Sequence, residues 1–122
     1  MDTVRTTILV ENVERRGEAR SVEHVLIDAA SELTWIPRHV LEAVGVRAER
    51  FQAFLLADGR TVYRRVGIAI VHAAGTSAPD FVVFADPGDT VAVGARSLEG
   101  MNLRVDSRCR RLVSAGAIFA AA

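Results

Sequence analysis

The fold of this chain is decided by the stretch Val25-Leu26-Ile27-Asp28-Ala29-Ala30-Ser31-Glu32-Leu33-Thr34-Trp35-Ile36-Pro37. Three aliphatic residues lead into a single carboxylate, three small residues follow it, and a second apolar segment ends at a proline. Short apolar runs bounded by turn residues predict buried strands. Asp28 is therefore predicted at the C-terminal end of a buried strand, where the chain must turn.

Asp28 has two interpretations. A carboxylate at a strand end can face a cleft while its backbone stays anchored in a sheet, which suits a catalytic acid. The alternative is an ordinary turn residue, because Asp favours turns by bonding its own backbone. The stretch alone favours the turn, so the rest of the chain has to supply the argument for catalysis.

Several segments, in chain order, resemble the retropepsin-like aspartic proteases. The active-site strand of that family ends in Asp-Thr/Ser-Gly-Ala/Ser, and Asp28-Ala29-Ala30-Ser31 stands at the same place here. The other matching segments are 35–46, which leads into a short helix, 56–60, which resembles the tip of the flap hairpin, and 91–95, which resembles the hydrophobic-hydrophobic-Gly signature before a short helix at 97–103. The resemblance covers about residues 20–115.

Many short strands with one or two helices indicate a mainly β, barrel-like domain, and the resemblance implies the same fold. It predicts a closed, barrel-like β domain with one or two short helices, spanning residues 1–122 as a single domain and acting as the protomer of a homodimer. It also implies that Asp28 is catalytic, and that the substrate-binding residues are Ala30, Ser31, Asp58 and Gly59. Neither a cofactor nor a metal is expected, and the partners are a second copy of the chain and a peptide or protein substrate.

Chemistry gives an independent reason for the dimer. An aspartic protease needs two carboxylates that share a proton, one to activate water and one to polarise the peptide carbonyl. This chain holds one Asp-Ala-Ala-Ser stretch and no second copy. The pair can form only if Asp28 faces its symmetry mate across a two-fold axis, which is the commonest oligomer geometry.

Two residues depart from the family pattern and leave three functions open. Ala29 replaces the Thr or Ser whose hydroxyl bonds across the dimer in the family. Ala30 replaces a glycine, so its Cβ adds bulk and penalises a positive φ. The chain is predicted to be a homodimeric aspartic endopeptidase whose activity is weak or lost. The alternatives are a catalytically inactive dimer of the same fold that binds extended peptides, and a small structural or regulatory β domain.

Composition narrows the class further. The formal net charge is +0, whereas general nucleic-acid and anionic-membrane binders carry a basic excess, so neither partner is expected. A lone cysteine, Cys109, excludes an intrachain disulfide, and His24, His39 and His72 lack the spacing of a zinc site. The apolar segment 7–10 is too short for a signal peptide. We therefore expect a soluble cytoplasmic protein.

Propensity and turn residues predict the remaining elements. The predicted strands are 3–12, 19–27, 33–36, 50–56, 61–66, 67–72, 81–85, 103–106 and 111–113. The predicted turns and loops are 14–18, 58–59, 73–78, 86–89 and 107–109. A helix is expected to begin at Pro37 and stop at Gly45, with Arg38 and Glu42 towards water. Trp35 is expected in the core, and the tail 114–122 either pairs as an edge strand or frays.

Overall fold

Nine strands and two short helices make up the part of the chain that the computed structural model describes, residues 3–121. They are β1 (Arg5–Asn12), β2 (Arg15–Ile27), β3 (Thr34–Pro37), α1 (Arg38–Ala43), β4 (Ala48–Leu55), β5 (Thr61–Ala73), β6 (Thr76–Ala85), β7 (Ala92–Val93), α2 (Ala95–Gly100), β8 (Leu103–Asp106) and β9 (Arg111–Ser114). The predicted mainly β class with short helices is confirmed.

The strands form one large sheet and one small one. The seven-stranded sheet has the order β1-β2-β7-β3-β6-β5-β4, and β1 pairs with β5 as well as with β2. Strands β8 and β9 form a separate two-stranded sheet. The pairings β2–β7 and β3–β6 are parallel. Parallel strands end at the same edge of a sheet, so Asp28, after β2, and Gly94, after β7, lie side by side.

Two hydrophobic clusters form the core. The larger one packs α1, α2 and β8 against the sheet, with Ile36 and Leu41 fully buried. The smaller one contains Leu33 and Trp35, and residues of the β4–β5 hairpin pack against it. Trp35 is only 8% exposed, and its ring meets that of Phe54 edge-on with centroids 5.1 Å apart. The prediction that Trp35 lies in the core is confirmed.

Helix α1 follows the predicted pattern. Pro37, with φ of −51°, stands at its N-cap, where a missing N–H costs no hydrogen bond. Gly45 follows the helix with φ of +80° and donates its N–H to the Glu42 carbonyl oxygen. Left-handed backbone of this kind suits glycine at a helix C-terminus. Arg38 and Glu42 are exposed, as predicted.

The first hairpin turns earlier than predicted. Its turn is Val13-Glu14, and the predicted turn 14–18 lies mostly within β2. The Asn12 side-chain oxygen accepts the Glu14 N–H at 2.9 Å and closes the turn. Gly17, which suggested the turn, has φ of +91° beside a register shift of the β1–β2 ladder. Glycine serves bulges as well as turns, and this explains the error.

Gly17 also serves a buried acid. Its N–H donates to the carboxylate of Glu11, which is 5% exposed and also hydrogen-bonds Arg16 and His72. The Gly17 N–H, and after it His72, holds the pKa of Glu11 below its usual range. This buried carboxylate joins β1, β2 and β5.

The third hairpin has a shorter turn than the predicted segment 73–78. Only Ala74 and Gly75 form the turn, because Ala73 pairs with Thr76 in the β5–β6 ladder. Both turn residues have positive φ, +49° and +79°, which matches the twist of a two-residue hairpin. Alanine rarely adopts this conformation, so the residue type gave no signal for the turn.

The second helix and the tail also differ from expectation. Helix α2 spans Ala95–Gly100 rather than residues 97–103, because Asn102 leaves the helix with φ of +54°. Between residues 115 and 121 no strand forms, so the edge-strand alternative is wrong there, while Ala122 lies outside the described residues. The Asn102 side chain donates to the Gly116 carbonyl oxygen at 2.8 Å, and Ile118 and Phe119 are exposed.

Replacing Trp35 by alanine should lower the free energy of unfolding by about 3–5 kcal/mol, because it empties a packed site in the smaller cluster. Urea denaturation followed by circular dichroism measures the change. Tyr63→Ala is the matched control, since Tyr63 is 66% exposed and surface changes usually cost less than about 0.5 kcal/mol. Equal losses for the two variants would show that Trp35 contributes no more packing than a surface ring.

Candidate functional site

Asp28 lies immediately after β2, at the edge of the sheet. Its N–H donates to the Val93 carbonyl oxygen at 2.9 Å, which extends the contact between β2 and β7 by one residue. Its side-chain Oδ1 accepts the Ala30 N–H at 3.0 Å, and its carbonyl oxygen accepts the Ser31 N–H at 3.1 Å. The turn interpretation is therefore correct for Oδ1. The other oxygen, Oδ2, has no hydrogen-bond partner within residues 3–121, and the residue is half-buried.

The segment 28–33, which we call the Asp28 loop, is fastened to the start of α2. The Ala95 N–H donates to the Ser31 carbonyl oxygen at 2.7 Å, and the Arg96 N–H donates to that of Glu32 at 3.1 Å. The first N–H groups of a helix have no partner within the helix. Here two of them hold the Asp28 loop.

Gly94 lets the Asp28 loop pass close to β7. A Cβ at this position would lie 2.4 Å from the Leu33 carbonyl oxygen and 2.8 Å from that of Ser31. Both are backbone atoms that cannot move without shifting the loop. The backbone of Gly94 is extended, with φ of −93°, so lack of space explains the glycine, and conformational freedom does not. The hydrophobic-hydrophobic-Gly pattern thus has a steric meaning.

Beneath the loop lies a buried polar chain that sequence reasoning missed. The hydroxyl oxygens of Thr34 and Ser97 are 2.6 Å apart, and these residues are 0% and 1% exposed. The Gly94 N–H donates to Thr34 Oγ1 at 3.0 Å, and Ser97 Oγ donates to Asp80 Oδ2 at 3.0 Å. The one sequence signal was a hydroxyl inside the apolar run 33–36. Its hydrogen-bond partners lie so far along the chain that the sequence alone does not indicate them.

Asp58 and Gly59 form the tip of the β4–β5 hairpin, as predicted. Gly59 has φ of +88°, and Asp58 accepts the Arg60 N–H at 3.0 Å and its Nε at 2.7 Å. These two bonds, the backbone one first, hold the pKa of Asp58 below its usual range. The tip makes no hydrogen bond to the Asp28 loop among the described residues, and the two regions meet through the smaller hydrophobic cluster.

An ion pair holds the base of this hairpin. Arg64 in β5 donates to both carboxylate oxygens of Asp89, at 2.8 and 3.0 Å. Asp89 also accepts the Asp86 N–H at 2.7 Å. Arg64 is the main cause of the lowered pKa of Asp89. Asp89 lies in the loop between β6 and β7, so this pair links the hairpin to the strand beside Asp28.

The four predicted contact residues are divided between two regions. Ala30 and Ser31 lie in the Asp28 loop with Asp28, whereas Asp58 and Gly59 lie at the hairpin tip. Ala30 is exposed and is not among the residues with positive φ. The backbone penalty expected for alanine at this position therefore does not occur, and only the added bulk remains.

Asp28 lines neither of two surface cavities, of about 220 and 350 Å³, which lie beside Gly45 and beside His72. No three His, Cys, Asp or Glu side chains within residues 3–121 are grouped to hold a metal ion. No helix in the described part of the chain is long and apolar enough to cross a membrane. Asp28 itself is half-buried, and Ala29 and Ala30 beside it are exposed.

Comparison with known proteins leaves the family open, since no protein-family model matches the chain and a search of curated proteins finds no match.

Replacing Asp89 by asparagine should lower the free energy of unfolding by about 1.5–3 kcal/mol at pH 7, because Arg64 loses its charged acceptor. Both side chains are mostly buried, 17% and 15% exposed. The pKa of Asp89 is lower in the folded state than in the unfolded chain. The stabilisation of the fold by this carboxylate is therefore complete above the unfolded pKa of about 3.9. It is lost as the pH falls through the folded value.

The pH series supplies the check. Urea denaturation at pH 7, 5, 4 and 3 should show a difference between wild type and Asp89→Asn that is constant at the higher values and shrinks below pH 4. Asp58→Asn is the control, because Asp58 forms a solvent-exposed pair with Arg60 and exposed pairs contribute little. A difference that grows on acidification would contradict the assignment.

Proposed function

We propose that this chain is a retropepsin-like aspartic endopeptidase that acts as a homodimer, with Asp28 of each copy activating water for peptide-bond hydrolysis. One observation carries the proposal: Asp28 is held by its own N–H at the buried end of β2, while its Oδ2 has no hydrogen-bond partner within residues 3–121. A carboxylate fixed through its backbone keeps one oxygen free for chemistry. The Asp28 loop is also hydrogen-bonded to the start of α2, which an ordinary surface turn does not require.

The topology supports the fold part of the proposal. Strand β1 pairs with both β2 and β5, and this supports a closed, barrel-like arrangement of the larger sheet. The β4–β5 hairpin projects with a turn at its tip, as a flap would. Gly94 followed directly by α2 matches the signature that the resemblance places behind the catalytic loop.

The position of Asp28 supports the dimer. Ala29 and Ala30 beside it are exposed, and it lines neither of the two cavities beside Gly45 and His72. A peptidase must exclude bulk water from its reacting groups. A second copy that brings its own Asp28 loop to the same place supplies both the missing carboxylate and the missing wall, through a self-complementary interface.

The mechanism follows from two carboxylates sharing one proton, as in the family. Like charges held close together cannot both ionise, so one Asp28 stays protonated at mildly acidic pH. The ionised carboxylate takes a proton from water, whose oxygen attacks the peptide carbonyl carbon. The protonated carboxyl gives its proton to the carbonyl oxygen. The first carboxyl, now protonated, gives its proton to the nitrogen as the C–N bond breaks. The second takes a proton back from a hydroxyl of the tetrahedral intermediate, which becomes the product carboxyl group, so both carboxylates return to their starting states.

The substrate is an extended peptide held between the hairpin and the Asp28 loop. Ala30 and Ser31 form the floor, and Asp58 and Gly59 cover the peptide when the hairpin closes. Ala29 lacks the hydroxyl that bonds across the dimer in the family, and each lost hydrogen bond costs on the order of 1 kcal/mol. Looser placement of the dyad lowers the rate further, so the activity is weak.

A second function deserves a test because one observation favours it. Strand β4 lies at the end of the sheet order, and its outer edge is available for pairing with another extended chain. A dimer whose two Asp28 carboxylates are too loosely placed for catalysis would bind peptides by such backbone pairing without cutting them. Binding without cleavage separates this function from the peptidase.

A peptide-library digest from pH 3 to pH 8 tests the peptidase. We expect a bell-shaped activity profile on the acidic side of neutrality, bounded by the two apparent pKa values of the dyad. Asp28→Asn should abolish cleavage while the fold stays intact, because amide and carboxylate have nearly the same shape. Ala29→Thr combined with Ala30→Gly should raise turnover by restoring the hydroxyl and removing the Cβ.

The outcomes discriminate between the functions. Cleavage by the double variant alone would identify the natural chain as a degenerate protease. Absence of cleavage in every variant, together with peptide that stays bound to the protein, would favour the binding function. Cleavage that survives Asp28→Asn would remove the dyad from the mechanism.

Assembly can be measured separately by sedimentation velocity at tens of micromolar. We expect a dimer, and two like charges next to the dyad, Ala29→Asp with Ala30→Asp, should dissociate it because these exposed positions would be buried between the copies. The same pair of charges at Ala53 and Thr61, on the hairpin, is the control and should leave the dimer intact. A strictly monomeric wild type would contradict the two-carboxylate site.

A further inference from the structure

The buried chain Thr34–Ser97–Asp80 is placed where it can control the Asp28 loop. Thr34 begins β3 directly after the loop, while Ser97 lies in α2, whose first residues donate hydrogen bonds to the loop carbonyls. Asp80 belongs to β6, the parallel neighbour of β3. The chain therefore joins three elements that bound the loop.

The direction of these hydrogen bonds follows from counting protons. An ionised carboxylate only accepts, so Ser97 gives its single hydroxyl proton to Asp80. Thr34 must then be the donor in its 2.6 Å contact with Ser97. This leaves the Thr34 oxygen as the acceptor for the Gly94 N–H. The result is a one-way chain from Gly94 to Asp80, and such chains strengthen each bond within them.

Every member of the chain is needed once it is buried. Without the Thr34 hydroxyl, the Gly94 N–H would lose its acceptor at the point where the loop crosses it. Without the Ser97 hydroxyl, the Thr34 proton would have no acceptor. A buried polar group without a hydrogen-bond partner lowers the stability of the folded protein. Both hydroxyls have their partners when the loop is in its observed place, so they favour that place.

We propose that Thr34 and Ser97 are positioning residues that hold the Asp28 loop, and through it the Asp28 carboxylate, in a fixed place within one chain. Ala29 cannot provide a hydroxyl bond across the dimer, so the fixing of the carboxylate has to come from beneath the loop. The consequence for turnover rests on the proposed peptidase function. The consequence for the loop does not.

Hydrogen exchange, read residue by residue by NMR, tests the positioning in the full chain without any substrate. Thr34→Val keeps the shape and removes the hydroxyl, Ser97→Ala removes its partner, and Thr34→Ser restores the hydroxyl. Exposed Thr61→Val in β5 is the matched control. We expect at least about 10-fold faster exchange of the loop amides in the first two variants, since local opening is governed by local contacts. The amides to follow are those of Asp28, Ser31, Ala95 and Arg96.

The comparison amides lie in β1 and β4, which pair with neither β3 nor β6. Their exchange should stay within about twofold of wild type in both variants, and Thr34→Ser should return the loop to wild-type exchange. If instead all amides accelerate together, or if the serine fails to restore protection, the hydroxyls merely satisfy the core and the positioning role is wrong. Ser97→Ala keeps the test decisive where Thr34→Val does not fold.

A kinetic readout separates this inference from the proposed function. If the wild type cleaves peptide, both variants should lower kcat by at least about 10-fold with little change in KM, because misplaced catalytic groups weaken the transition state more than substrate binding. Equal kcat in wild type and both variants would overturn the positioning of the carboxylate. If no variant cleaves, the peptidase proposal fails, and the exchange experiment alone decides the role of the hydroxyls.

Discussion

The close crossing of the Asp28 loop over Gly94 is the constraint on which the rest of the site depends. The Leu33 and Ser31 carbonyl oxygens approach so near to the Gly94 Cα that no Cβ fits between them. This approach brings the first N–H groups of α2 within reach of the loop carbonyls and places Thr34 beside Ser97. Backbone packing at one glycine therefore determines where the carboxylate stands, and the hydroxyl chain then makes that position costly to leave.

Local chemistry made much of the fold predictable. The apolar run before Asp28, Pro37 and Gly45 around α1, and Asp58-Gly59 at the hairpin tip each carry a signal within a few residues, and each was placed correctly. The misplaced turns had either no such signal or a misleading one. Ala74 adopts a conformation that its residue type disfavours, and Gly17 marks an irregularity inside a strand. Residue preference cannot separate these cases, because the strand pairing decides them.

The candidate site also has parts that the sequence predicted and parts that it did not. The place of Asp28 at a strand end followed from the sequence, and so did the glycine behind it. The partnership of Thr34 with Ser97 did not, because 63 positions separate them and only the fold brings them together. The expected strain at Ala30 is absent, since that expectation assumed a positive φ. Family membership, the homodimer and peptide cleavage remain proposals, and the cytoplasmic location stays a prediction.

Fold and catalysis can diverge in this chain for a physical reason. The Asp28 loop is held by backbone groups, namely the Asp28 N–H and the carbonyl oxygens of Ser31 and Glu32, and by hydroxyls beneath it. None of these contacts uses the side chains of Ala29 or Ala30. Changes at those two positions therefore leave the shape of the loop intact, whatever they do to the contacts of the proposed dimer with its second copy and with substrate. In a chain built in this way, the proposed cleavage can be lost while the loop geometry stays, so the Asp-Ala-Ala-Ser departure bears on the rate of the proposed reaction and says little about fold.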